Sequence, residues 1–333
     1  MSNKTDMITN ASPSAYGWCF QVGAGITLML DNIKDFTSIK MEGKSDDIEI
    51  NTPTGKIYAQ AKSVTQIGNQ NSASKKLQDS LKLLSKDNQN GDAIQLIYIT
   101  NIANPLSSKQ ASAFCYGHSY EYSILSDKDK EKIDSYIGTD FPRDKLKIYL
   151  LNFFGDGKNK FASIKEKISE FLRDAIDDPS YSQKLLDSWF STFMINCSDI
   201  PDNQKECTLT KKEIIFPVMV LVLNPLVPEE EFSKVCDYDD IEELQSDFRT
   251  SIDRKVCDYQ FVSGVIGDFL SSRLHNGQKM TKYDFIKEKW KNYEGDFLFV
   301  ADDQEREALV KLVILATLLK KKKINQIKEA ANL

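Results

Sequence analysis

Asp46-Asp47-Ile48-Glu49-Ile50-Asn51-Thr52-Pro53-Thr54-Gly55-Lys56-Ile57-Tyr58-Ala59-Gln60-Ala61-Lys62 is the stretch that decides the fold of the first half of the chain. Two short runs that read as strands, Asp46–Ile50 and Lys56–Lys62, flank a turn-rich segment, the pattern of a β-hairpin. With the turn centred between Pro53 and Thr54, Asp47 lies opposite Gln60 and Glu49 opposite Tyr58. Directly paired residues share a face, and so do alternate residues along a strand. Asp47, Glu49, Tyr58, Gln60 and Lys62 therefore point one way. Ile48, Ile50, Ile57, Ala59 and Ala61 point the other, into the core. A one-residue slip would mix the two sets. Asp46 falls on the apolar side in this register, so Asp47 is the better ligand of the two.

Outward from the hairpin, Ser14 to Asp31 has helical spacing, with Tyr16, Phe20, Thr27 and Leu28 three and four apart. Gly17, Gly23 and Gly25 each weaken such a helix by about 1 kcal/mol relative to Ala, a cost accepted where another backbone comes close. The first thirteen residues read as a flexible arm. Phe36–Met41 alternates weakly and ends at Glu42. Ser72–Lys86 is a helix with Leu77, Leu81 and Leu84 on one face and Lys75, Lys76, Lys82 and Lys86 elsewhere. Ala93–Thr100 and Leu146–Phe154 are near-continuous apolar runs, the mark of central strands covered on both sides. The fold class is thus an α/β domain, a mixed sheet flanked by helices, followed by a mainly α-helical domain. The helices expected there include Lys211–Val222, Asp240–Cys257, Phe261–Leu274 and Gln304–Lys321. The polar, proline-bearing Asn196–Glu206 puts the boundary near residue 200, giving domains 1–200 and 201–333.

Composition removes several classes. The chain has 333 residues, 41% of them hydrophobic, and a net charge of -6, so any nucleic-acid contact must come from a local basic patch. Six cysteines without C-x-x-C spacing read as reduced thiols in a cytoplasmic protein. The two histidines, His118 and His275, lie far apart, which argues against zinc and against a histidine triad. Gly23-Ala24-Gly25 lacks the third glycine and the preceding strand of a dinucleotide site. Ile214–Leu223 and Leu309–Leu319 are about half the ~20 residues of a membrane span, so no membrane association is expected.

The polar face of the hairpin carries a definite chemistry. A carboxylate and a carboxamide oxygen a few ångströms apart suit a hard divalent cation that keeps several waters. A lysine one alternation further can hold or deprotonate a metal-bound water and offset charge on a pentavalent phosphate, while the metal acidifies that water. Glu42 offers a further carboxylate. The plainer alternative is that Asp and Lys on the open face of a hairpin are solvated surface, and that Gln21 is a satisfied core amide.

The series Glu42, Asp47-Ile48 and Gln60-Ala61-Lys62, after a helix carrying Gly17 and Gln21 in Gly-x-x-x-Gln, resembles the active site of PD-(D/E)xK nucleases with Gln in place of the second acid. It is most similar to the Mrr-like, restriction-endonuclease-like domain of effector endonucleases in bacterial anti-phage systems, such as the CBASS endonucleases and the Lamassu nuclease subunit. The likeness covers residues 14–105 by motif. It implies Mg2+, with Mn2+ as the alternative, held by Asp47, Gln60 and the Ala61 carbonyl. It implies Lys62 as the catalytic lysine, with Glu42 and Gln21 supporting. Double-stranded DNA is the implied substrate, and Lys75, Lys76 and Lys82 are the expected DNA contacts. Activity in a homo-oligomer is implied, as is activation through the C-terminal half by a signal or by an ABC- or SMC-like ATPase partner. The Gln in the motif keeps open a catalytically inactive, nuclease-fold scaffold subunit.

Overall fold

The computed structural model describes residues 12–42, 46–66, 72–106, 114–198, 207–222, 227–256, 258–275 and 279–333. Most of the expected amino-terminal arm, residues 1–11, lies outside the described residues. The chain divides into two compact units, with the division after Glu213.

In the first unit the order is α1 (Ser12–Asp31), β1 (Ser38–Met41), β2 (Ile48–Thr52), β3 (Gly55–Lys62), α2 (Ala73–Asp87), β4 (Ala93–Thr100), β5 (Ser119–Glu121), α3 (Asp127–Asp134), β6 (Leu146–Leu150), α4 (Ala162–Ile176), α5 (Ser182–Ser198) and β7 (Cys207–Thr210). The described strands form one mixed sheet in the order β5-β6-β4-β3-β2-β1-β7. β1, β2 and β3 are an antiparallel meander, and β3, β4 and β6 run parallel. The hairpin pairs Ile48 with Ala59, Glu49 with Tyr58 and Ile50 with Ile57, which is the expected register.

Each face of the sheet has its own helical layer. On one, α1 lies against β1: a Cβ at Gly25 would sit 3.0 Å from Met41 Sδ. Met41 and Ile39 pair with Ile48 and Ile50, so this is the isoleucine face of the hairpin. A Cβ at Gly23 would sit 2.5 Å from Ile164 Cδ1 of α4. The close approach that these glycines allow is therefore made by side chains. On the other face, Tyr58 joins Leu77, Leu81 and Leu84 of α2 in one buried cluster with Leu96, Tyr98 and Ile148. The second face of the hairpin is thus covered by α2, and Gln60 is wholly buried. The expectation of an open polar face is corrected by this layer.

Three further expectations are corrected in this unit. β7 pairs antiparallel with β1, Ile39 with Leu209 and Met41 with Cys207, so the sheet extends beyond residue 200. Cys207 is disulfide-bonded, against the expectation of reduced thiols throughout, while Cys19, Cys115 and Cys236 are free. β6 is shorter than the apolar run suggested and ends at Leu150.

The second unit is helical among its described residues: most of α6 (Lys211–Val222), then α7 (Glu229–Phe232), α8 (Ile241–Asp247), α9 (Arg249–Val256), α10 (Tyr259–His275), α11 (Lys282–Lys289) and α12 (Asp303–Ala331). The single helix expected over Asp240–Cys257 is two, broken at Phe248. Its core runs along Leu309, Leu312, Val313 and Leu315 of α12, against Ile252, Val265, Phe285 and Phe297. Glu231 of the acidic run Glu229–Glu231 accepts from Lys282 at 3.0 Å and from the Tyr283 hydroxyl at 2.8 Å. No helix among the described residues is long and apolar enough to cross a membrane.

Candidate active site

β2 begins at Ile48, so Asp46 and Asp47 precede the strand and the alternation does not reach them. Asp47 is held by β3. Its Oδ2 accepts the Ala61 N–H at 2.7 Å and the Lys62 ammonium at 2.8 Å. The side chain of Asp47 is 14% exposed and that of Lys62 30%, a half-buried pair at the end of the sheet. A charge-assisted bond in such a setting is stronger than a neutral one.

Glu42 closes the far side. Its N–H donates to the Asp47 carbonyl at 3.0 Å, and its φ of +54° ends β1 in a left-handed turn. That conformation is uncommon for a side chain other than Gly, Asn or Asp and clusters at functional positions. Burial, then the Asp47 charge, push the Glu42 carboxyl above its usual range. Lys62 and a hydrogen bond with the Gln21 side chain pull it back. Gln21 is thus drawn from α1 to the same group. Of the expected residues, the fold brings together Gln21, Glu42, Asp47, Ala61 and Lys62. Gln60 is on the adjoining strand position but wholly buried.

Asp46 differs from its expectation. It is 6% exposed and stands within electrostatic reach of Asp87, Glu49 and Lys40. Glu49 is on the face packed by α2, so Asp46 is turned to that side and not to the isoleucines. Burial, then Asp87 and Glu49, push its carboxyl up to about 6.

The lysines of α2 separate into two kinds. Lys75 and Lys82 are exposed on the outer side of the helix. Lys76 is half-buried and donates to the Ser63 carbonyl. Burial and then the Lys62 charge hold its pKa below the usual lysine range, so the two ammonium groups are neighbours.

A polar frame behind the site was not singled out from the sequence. Thr100 Oγ1 donates to the Lys62 carbonyl at 2.6 Å. Asn101, wholly buried, accepts the Val64 N–H at 2.8 Å and donates to the Val64 carbonyl at 2.8 Å. It also donates to the Tyr16 hydroxyl at 3.2 Å, and that hydroxyl donates to the Phe153 carbonyl. The signal was the polar Thr100-Asn101 pair directly after an apolar strand, since a buried carboxamide needs its bonds satisfied.

Among the described residues no three Asp, Glu, His or Cys side chains converge as a metal site. A divalent cation here would take the carboxylates of Asp47 and Glu42, an amide or carbonyl oxygen from Gln60 or Ala61, and water. Mg2+ accepts so sparse a protein set because it keeps several waters. After burial, the Asp47 charge is the next cause of the raised Glu42 carboxyl, and a cation bound beside both would offset it. Comparison with protein families, curated proteins and solved structures finds no match to this chain.

Proposed function

We propose that the protein is a Mg2+-dependent DNA endonuclease, with Asp47, Glu42 and Lys62 at its reacting centre and Gln21 orienting Glu42. The observation that carries this reading is the 2.8 Å contact of Lys62 with Asp47, beside Glu42, at one end of the sheet. The ammonium is fixed in position by its carboxylate partner, where it can hold a water or meet a phosphoryl oxygen. The cation would act as the Lewis acid and lower the pKa of a bound water. Lys76, next to Lys62, adds a second positive charge for a phosphate. The α1-β1-β2-β3-α2-β4 order, which sets the helix, the meander and the lysine on one sheet, supports the resemblance to PD-(D/E)xK nucleases.

On that resemblance the endonuclease is the effector of an anti-phage system and works as a homo-oligomer. The helical unit receives the partner or signal. Its exposed Leu270, Leu274, Leu298 and Phe299 are the residues that invite a contact there. The deciding experiment is loss of supercoiled plasmid with Mg2+, compared among the wild type, Asp47→Asn and Lys62→Ala. Equal cleavage by all three would reject the assignment.

One alternative has a specific observation behind it. Two carboxylates with a buried carboxamide make a weak cation site, and Lys62 already neutralises Asp47. A scaffold subunit of the same fold would bind DNA with no cleavage under Mg2+ or Mn2+.

A further inference from the structure

β3, β4 and β6 run parallel and end together at Lys62, Thr100 and Leu150. Ligands of open sheets bind beyond such carboxyl ends. The chain leaving β6 makes a glycine-bearing loop there, with Gly155 at φ +114° and Gly157 at +50°, and turns through residues Gly157–Phe161 into α4. Lys160 in this turn lies over three rings: 5.8 Å from Tyr16, 5.9 Å from Phe153 and 5.2 Å from Phe161. Its neighbours Lys158 and Lys167 have carboxylate partners in Asp187 and Asp31, whereas Lys160 makes no ion pair among the described residues. An aromatic seat fixes an ammonium without neutralising it. Lys160 also borders an open cleft of about 400 Å³ whose walls include Cys19, Phe161 and Phe190.

This cation belongs to the same frame as Lys62. The Tyr16 hydroxyl under it is bonded to Asn101, which holds Val64, two residues beyond Lys62. On α1, the residue after Tyr16 is Gly17, four residues before Gln21 and so on the side of the helix that reaches Glu42. A Cβ at Gly17 would meet nothing within 4 Å, unlike those at Gly23 and Gly25. Packing within the described chain does not require a glycine there, and an internal helical glycine lowers helix stability. Clearance over α1, with a fixed ammonium beside it, is what a phosphodiester backbone needs to approach closely.

We propose that Lys160 anchors a phosphate of the DNA strand to be cut, and that this strand passes over Gly17 on its way to Lys62. The proposal rests on the endonuclease reading and adds a positioning contact to it. Lys160 touches the strand at a phosphate other than the scissile one. Its loss raises KM and leaves kcat nearly unchanged.

The test is fluorescence anisotropy of a labelled 20-base-pair duplex, without metal, at several salt concentrations, joined to plasmid cleavage with Mg2+. Lys160→Gln should weaken binding roughly tenfold and lower the slope of log affinity against log salt by about one. Lys160→Arg should restore both. Gly17→Ala should weaken binding, by less than Gly17→Leu does, while raising the Tm. Gly17→Leu should keep its Tm and lose at least tenfold in affinity. Wild-type binding and salt slope in Lys160→Gln, or wild-type binding in Gly17→Leu, overturns the proposal while a cleaving wild type leaves the endonuclease reading intact. A wild type that neither binds nor cuts the duplex removes both.

Discussion

Lys62 Nζ and Asp47 Oδ2 are 2.8 Å apart, and the same oxygen accepts the N–H of Ala61 at 2.7 Å. One carboxylate atom therefore fixes both the backbone of β3 and the charged end of its last residue. Lys62→Ala is expected to cut Mg2+-dependent cleavage at least 100-fold, the scale seen when a preorganised charge is removed from a reacting centre. Asp47→Asn should do the same, with melting shifted by no more than about 1 to 2 kcal/mol from the weakened bonds to β3. Circular-dichroism melts beside the plasmid assay check both. A melt near wild type with no activity is the expected pair of results.

Asp46 gives the pH prediction. Its carboxyl is raised from 3.8 to about 6 in the folded protein. A raised acid binds its proton more tightly when folded, so the contribution of Asp46 is full below about pH 4 and is lost as the pH rises through 6. Asp46→Asn should therefore stabilise the protein at pH 7.5, by up to about 2 to 3 kcal/mol. The gain should vanish at pH 4. Urea unfolding of both proteins at the two pH values measures it, and an equal gain at both would contradict the assignment.

Asn101 is expected to be among the more sensitive polar positions. Asn101→Leu removes the partners of the Val64 N–H and carbonyl and of the Tyr16 hydroxyl. Buried groups left without partners cost about 1 to 3 kcal/mol each, so a loss of roughly 2 to 4 kcal/mol is expected. Hydrogen exchange should show the loss concentrated at Val64 and in the first turns of α1.

Gly23 and Gly17 should respond to different degrees. Gly23→Ala drives a methyl to within 2.5 Å of Ile164 Cδ1, the movable end of a side chain, so its overpacking cancels part or all of the gain in helix propensity. Gly17→Ala meets nothing and should gain up to about 1 kcal/mol from helix propensity. Thermal melts of the two variants decide the matter.

Glu231 ties α7 to α11 through Lys234, Lys282 and Tyr283. Bonds from Lys234, Lys282 and Tyr283, in that order, hold its carboxyl down at about 2. A lowered acid contributes above its unfolded pKa and loses that contribution as the pH falls toward 2. Glu231→Gln should thus lower the Tm of the helical unit at pH 7, with the difference from wild type closing between pH 4 and 2. Differential scanning calorimetry over that range is the check.

The hairpin register was legible because three isoleucines and two alanines had to share a side, and only one pairing does that. Ala93–Thr100 was legible because a strand covered on both faces is apolar throughout. Asp46 escapes the alternation because it stands two residues before β2 begins at Ile48. The burial of Gln60 depends on α2 crossing the strand, which no local pattern records. β7 is four residues, Cys-Thr-Leu-Thr, after a long polar stretch, and its partner β1 is far away in sequence. Lys160 was invisible for a related reason: its three aromatic neighbours come from α1, from the chain just after β6 and from its own turn.

The pairing of β7 with β1 also bears on how the chain comes to exist. Synthesis releases β1 early, and its outer N–H and carbonyl groups then have no strand beside them until residue 210 has emerged. An uncovered strand edge is a template for another chain. A fragment ended at residue 200 would keep the whole candidate site and still carry that bare edge, and should collect as aggregates. One ended after Glu213 would end the sheet on β7, with Thr208 and Thr210 exposed, and should aggregate less, so a short polar strand blunts the nascent domain's edge against its neighbours on the ribosome.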